Sequence, residues 1–170
     1  MLLLIWRMLP RGRTRPQTAS TGNGFSMIEL IVVMAILGVV MAVGMPSLMN
    51  YWQSATLKAG AAEFASTLNR GRQLAIRTNN FVCVERTSNN VRFRTATAAN
   101  CTGTIWTGPG TDANGWMSLA NNVQVNTGPN VIFTFLGAAN PGGTYTVLHA
   151  PSNSTLSVTV VGSGRVSIGP

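Results

Sequence analysis

From Phe25 to Met45 the chain is almost wholly apolar, and from Phe25 to Tyr51 its one charged residue is Glu29. Twenty-one residues of helix at about 1.5 Å each extend roughly 31 Å, enough to cross the hydrocarbon core of a bilayer. A basic segment (Arg7, Arg11, Arg13, Arg15) precedes this run, and a Gly24–Phe25 step stands at its mouth. An ionisable group in a membrane helix is costly unless paired, so Glu29 requires a partner. An amine would serve. A cut between Gly24 and Phe25 would create an α-amino group four residues before Glu29, one helical turn away, able to pair within a chain or between neighbours. An ordinary signal anchor accounts for the apolar run. It does not account for a Gly–Phe junction with an acid at the fifth position after it.

The stretch Gly24-Phe25-Ser26-Met27-Ile28-Glu29-Leu30 resembles the class III signal of type IV pilins and pseudopilins, whose usual form is Gly followed by Phe-Thr-Leu-Ile-Glu-Leu. Ser26 and Met27 depart from the commonest residues while keeping size and polarity. Pro46 falls where many pilins place a helix-kinking proline. The resemblance implies that a prepilin peptidase cuts between Gly24 and Phe25 and methylates the new N-terminus at Phe25. It implies a single-pass protein of the inner membrane with its C-terminal domain periplasmic or otherwise extracytoplasmic. An inner-membrane assembly platform would then move it into a filament with other pilins or pseudopilins. Glu29 would set axial register there, and Pro46 would let the helix bend. A type IV pilus and a type II secretion pseudopilus read the same leader, so both settings stand.

Of the 170 residues, a leader (1–24) and a membrane or filament-core helix (25–45) leave one small domain. Charged residues make up only 9%, with Asn, Thr, Ser and Gly in their place, which suits a secreted β-rich domain. The formal net charge is +8, but the four leader arginines have no acid beside them, so processing leaves +8 − 4 = +4. Those arginines read as positive-inside topology signals. Met1 and Met8 each offer a start. Cys83 and Cys101 form an even pair in the extracytoplasmic part, which favours one disulfide closing a loop of about 19 residues, worth roughly 3 kcal/mol. Two buried free thiols are the alternative.

Past Pro46 the helical spacing continues. Leu57, Ala61, Phe64, Ala65, Leu68, Ala75 and Ile76 fill one stripe, and Glu63, Arg70 and Arg77 are placed on the opposite face. The expected helix runs from Phe25 to about Thr78, an amphipathic half over 46–78, broken or softened at Gly44-Met45-Pro46. Gly60 and Gly71 each weaken it by about 1 kcal/mol relative to Ala. Arg70, Arg72 and Arg77 suit its C-terminal dipole, and Thr78-Asn79-Asn80 reads as its stop. From 79 to 170 the period becomes two. Phe81–Arg86 and Val91–Thr95 read as a hairpin around Ser88-Asn89-Asn90, with Val91 and Phe93 on one face and Arg92 and Arg94 on the other. Short strands follow near Thr104–Thr107, Gly115–Ser118, Val123–Asn126, Val131–Leu136, Thr144–His149, Leu156–Val161 and Arg165–Ile168. The fold class is α+β: a long N-terminal helix packed on an antiparallel sheet or sandwich.

This layout resembles the GspH/FimT subgroup of pilin-like proteins. The resemblance rests on Gly71-Arg72-Gln73-Leu74-Ala75-Ile76-Arg77, on Val131-Ile132-Phe133-Thr134-Phe135 before Gly137, and on Gly164-Arg165-Val166. It implies a minor component that primes or caps a fibre. It also offers an alternative function, capture of double-stranded DNA during natural transformation. Some FimT-like minor pilins bind DNA through a C-terminal Gly-Arg-x-Arg. Here Arg165 is kept and Ser167 replaces the second arginine. Arg92 and Arg94, with Arg86 nearby, are the candidates to compensate, since phosphate binding needs several cations on one surface. Trp106 and Trp116 can stack on bases, although core packing is the commoner role.

Catalysis fits poorly. The chain has four acids, a lone His149 expected to be structural, no phosphate-cradling Gly-rich loop before a helix, and no catalytic partner for either cysteine. A single His and the single Asp112 offer no metal-ligand cluster, so neither metal nor cofactor is expected.

Overall fold

The apolar stripe and the long run of helix-compatible residues give one element, α1, from Met27 to Thr78. The computed structural model describes residues 24–126 and 128–169; the leader expectation, including Arg7, Arg11, Arg13 and Arg15, otherwise lies outside the described residues. The chain divides between Met41 and Ala42 into two units. Of the first, the described part is Gly24 to Met41, an exposed apolar helix preceded by a short non-helical entry. The expected break at Gly44–Pro46 is absent from the secondary structure, and Pro46 lies inside α1. Proline there removes one N–H from the ladder, leaving the Ala42 carbonyl without its usual donor.

Among the described residues, the second unit contains the rest of α1 and nine strands. These are β1 (Phe81–Thr87), β2 (Asn90–Ala96), β3 (Thr104–Ile105), β4 (Trp116–Ser118), β5 (Val123–Asn126), β6 (Val131–Phe133), β7 (Gly143–His149), β8 (Ser154–Val160) and β9 (Val166–Gly169). All pairings are antiparallel. One sheet runs β3-β2-β1-β6, with β4 sharing the outer edge of β2, and the other runs β5-β7-β8-β9. The β1–β2 hairpin sets Thr87 opposite Asn90 and Val84 opposite Phe93. Val91 and Phe93 are buried and Arg92 and Arg94 share the other face, as their alternation requires. The expected strand over Val131–Leu136 stops at Phe133, because a turn with Gly137 N bonded to Thr134 O (2.8 Å) takes over.

α1 ends on a left-handed Asn79 (φ 51°). The amide of Asn80 donates to Ala75 O (3.2 Å) and that of Asn79 to Ile76 O (3.4 Å). These are the paired bonds of a Schellman cap with asparagine in the usual glycine position. The disulfide joins Cys83, at the buried centre of β1, to Cys101, with Cα atoms 5.2 Å apart.

The core explains the helix glycines. Leu57, Gly60, Ala61, Phe64, Ala65, Leu68, Gly71 and Ala75 form the buried face of α1. A Cβ at Gly60 would collide with Val123 of the second sheet, and one at Gly71 would lie 3.0 Å from Val84 and 3.1 Å from Phe93 of the first. Phe64 meets Tyr145 edge-on at 5.5 Å between ring centres. The two glycines thus cost helix propensity and gain close approach to both sheets. Three sequence expectations need correction. Ile76, assigned to the stripe, is exposed. Glu63 and Arg70, assigned to the far face, flank the stripe: Glu63 accepts from Ala120 N (3.1 Å), and Arg70 Nη2 donates to Pro109 O (2.7 Å). Their long side chains reach over the edge of the packed face to satisfy loop backbone.

Gly60→Ala should therefore lower stability by about 1–3 kcal/mol, despite alanine's helix preference, because it overpacks the helix–sheet contact. Gly44→Ala, where a Cβ meets nothing within 4 Å, should not destabilise the helix. Denaturant unfolding of the two variants in detergent checks the contrast.

Candidate assembly site

At the head of α1, Gly24, Phe25 and Ser26 precede the first helical residue, and Leu30 N donates to Ser26 O (3.2 Å) to open the ladder. Glu29 sits in the first turn, where a negative charge is favoured by the helix dipole. Its side chain is exposed and has no hydrogen bond or ion pair among the described residues. From Phe25 to Trp52 every residue is exposed. Phe25 is 83% exposed and Val43 77%, in a segment whose chemistry calls for burial. The helix is long and apolar enough to cross a membrane.

Gly24 has no internal reason to be glycine, since a Cβ there would meet nothing within 4 Å. The chain itself would accept alanine, so any requirement for glycine lies outside the fold. Gly38 and Gly44 have the same open surroundings.

The C-terminal markers come together. Arg72 Nε donates to Gly137 O (2.8 Å), and Gly164 (φ 78°) packs so closely on that carbonyl that a Cβ would overlap it. The helix end, the turn after β6 and the turn before β9 thus meet at one point. Arg72 serves this junction, and the positive φ makes glycine the natural residue at 164.

The arginines differ in their freedom. Arg92 and Arg94 both reach Glu85, Arg94 Nε at 2.9 Å from Oε1. The Arg92 guanidinium also lies 4.3 Å from the Trp116 ring centre, and Arg94 Nη1 donates to Gly103 O (3.0 Å). Arg86 donates to the Val125 and Gly128 carbonyls and covers the Tyr145 ring at 5.4 Å. Arg165 is exposed, and its side chain has no partner among the described residues. Trp106 packs on Phe93 (5.8 Å) under the Arg70 guanidinium (5.1 Å). His149 is buried, with Nδ1 2.8 Å from Ser152 Oγ. No group of three or more metal-ligating residues occurs among the described residues.

The prokaryotic N-terminal methylation motif matches residues 21–45. The match takes in the Gly24–Phe25 step, Glu29 and the apolar run behind them. Two crystal structures of the type IV minor pilin FimU from Pseudomonas aeruginosa superpose with a TM-score of 0.50. They are 13% and 14% identical and cover 67% and 71% of this chain, and 93% and 92% of their own. The minor pseudopilin EpsH from the type 2 secretion system of Vibrio cholerae is 13% identical at a TM-score of 0.48, covering 66% of this chain and 94% of its own. A comparison with curated protein sequences gives no match. The α+β arrangement of a long N-terminal helix on antiparallel sheets is the pilin-like fold. Tyr145 is not among the residues the sequence singles out; its alternation in β7 places it in the core, where its phenol needs a partner. It donates to Pro129 O (2.7 Å).

Two outcomes follow. Gly24→Ala should leave the fold intact and block maturation, read as retention of the leader in the intact mass; an unchanged mature mass contradicts it. Burial pushes the Tyr145 phenol from 10.0 to about 12 against the opposing pull of Arg86. The folded chain therefore keeps that proton when the unfolded chain has lost it. Stability from this group is full below pH 10 and falls as pH rises towards about 12. Thermal melts should show the fall, and Tyr145→Phe should flatten it.

Proposed function

We propose that the chain is a minor pilin or pseudopilin, a structural subunit of a type IV pilus or a type II secretion pseudopilus. The observation that carries this reading is the uncovered apolar run from Phe25 to Tyr51, with Glu29, four residues after Phe25, without a partner among the described residues. The methylation motif over the same residues supports cleavage between Gly24 and Phe25 and methylation of Phe25 by a prepilin peptidase. The helix first rests in the inner membrane, with the β domain outside the cytoplasm. It then passes to a site lined by neighbouring pilin helices, so its apolar surface never meets water. Glu29 holds the N-terminal ammonium of its own chain in lipid and that of a neighbour in the fibre. A misaligned subunit leaves a buried charge unpaired, and that penalty selects the register. Pro46, with its one missing ladder bond, lets the helix bend during transfer.

Glu29→Ala should still be cleaved, but its incorporation alongside wild-type subunits should fall about tenfold or more, since about 1.4 kcal/mol suffices for tenfold and an unpaired buried charge costs more. Quantifying both forms in sheared fibres checks this. Equal incorporation removes the register role of Glu29.

A further inference from the structure

The sequence expectation ends the membrane segment at Met45, yet the helix continues in the same chemistry. No Asp, Glu, Lys or Arg occurs from Leu30 to Leu57, and Lys58 is the first charge after Glu29. Those twenty-eight residues correspond to roughly 42 Å of helix, the thickness of a bilayer with its headgroup regions included. Past Pro46, Leu48, Met49, Trp52 and Gln53 line a shallow apolar hollow on the helix surface. Tyr51 and Trp52 are 68% and 70% exposed. They belong to the unit that contains the β domain, yet that domain buries neither ring.

The hydroxyls of Ser54 and Thr56 do not argue against lipid. Ser54 Oγ donates to Tyr51 O (2.9 Å) and Thr56 Oγ1 to Trp52 O (2.8 Å). Hydroxyls that bond back to their own helix leave no unsatisfied donor at an apolar boundary. Tyr51 and Trp52 stand twenty-two and twenty-three residues after Glu29, roughly 33–35 Å along a helix, just beyond a hydrocarbon core of about 30 Å. Amphipathic rings prefer that depth, with the ring body among acyl chains and the phenol or indole N–H among headgroups.

We propose that Tyr51 and Trp52 are the outer interfacial anchor of the inserted helix, so that the lipid-contacting segment extends past Pro46 and ends between Trp52 and Lys58. The occupant of the hollow at Leu48, Met49 and Trp52 is the outer-leaflet headgroup boundary. The proline then lies inside the bilayer, and the helix can bend there while its outer end stays held. This inference rests on the membrane insertion proposed above.

The test is depth-dependent quenching of Trp52 in the full chain, reconstituted into vesicles of phosphatidylethanolamine and phosphatidylglycerol. The acyl chains carry bromine either near the headgroup or near the chain end. Subtracting Trp52→Phe from wild type isolates Trp52, because Trp6, Trp106 and Trp116 are common to both. Retention of the protein after alkaline carbonate washing reports insertion separately. The expected result is a component quenched more strongly by shallow than by deep bromine, weakly by aqueous acrylamide, and lost in W52F. Retained protein whose Trp52 responds to acrylamide and to neither bromine overturns the anchor alone. Retained protein whose Trp52 is shielded from all three quenchers also overturns it and assigns the hollow to a protein partner, including a second copy. Protein that is not retained removes the insertion reading and the anchor together.

Discussion

Among the described residues, nothing covers the first half of the helix. From Phe25 to Trp52 nothing is buried, and each large apolar side chain left in water forgoes about 1.5–3 kcal/mol. Over such a run the deficit reaches tens of kcal/mol, more than the net stability of a typical domain. In the proposed function lipid or neighbouring helices supply the missing contacts, and Glu29 adds selectivity to an otherwise non-directional attraction, because apolar surface alone does not distinguish one axial position from another.

The second half of the same helix solves the opposite problem. It faces two sheets and must approach both, so small residues recur on its buried face. Gly60 admits Val123 and Gly71 admits Val84 and Phe93, while Phe64 fills the space beside Tyr145. Glycine therefore has two meanings along one helix. At 60 and 71 it is filled by this chain, and at 38 and 44 the space beside it is open. The Arg72–Gly137–Gly164 junction then ties the helix end to two turns, and the Cys83–Cys101 bridge ties β1 to the loop after β2.

Much of this was legible in the sequence. The apolar run, the acid near its start, the Asn79–Asn80 stop and the β1–β2 alternation are local patterns, and the structure places them as their periodicities require. The cysteine pair was favoured by even count and setting. What local pattern could not give was reach and non-local pairing. Arginines counted as helix-dipole partners or surface cations proved to be bonded to distant carbonyls: Arg70 to Pro109, Arg72 to Gly137, Arg86 to Val125. Arg92 and Arg94 alternate outwards as expected, but their meeting on Glu85 depends on strand register. Ile76 has the right spacing for the core, yet it lies half-exposed beside Gly137 in the turn after β6. Three C-terminal markers that are separate in sequence proved to be one contact.

The most direct measurement is the intact mass and N-terminal fragmentation of the protein recovered from membranes of cells with an active prepilin peptidase. The expected product begins at methylated Phe25 and places an amine one turn before Glu29. A chain that keeps residues 1–24, or that begins elsewhere, would leave Glu29 without that partner and contradict the proposed basis of register.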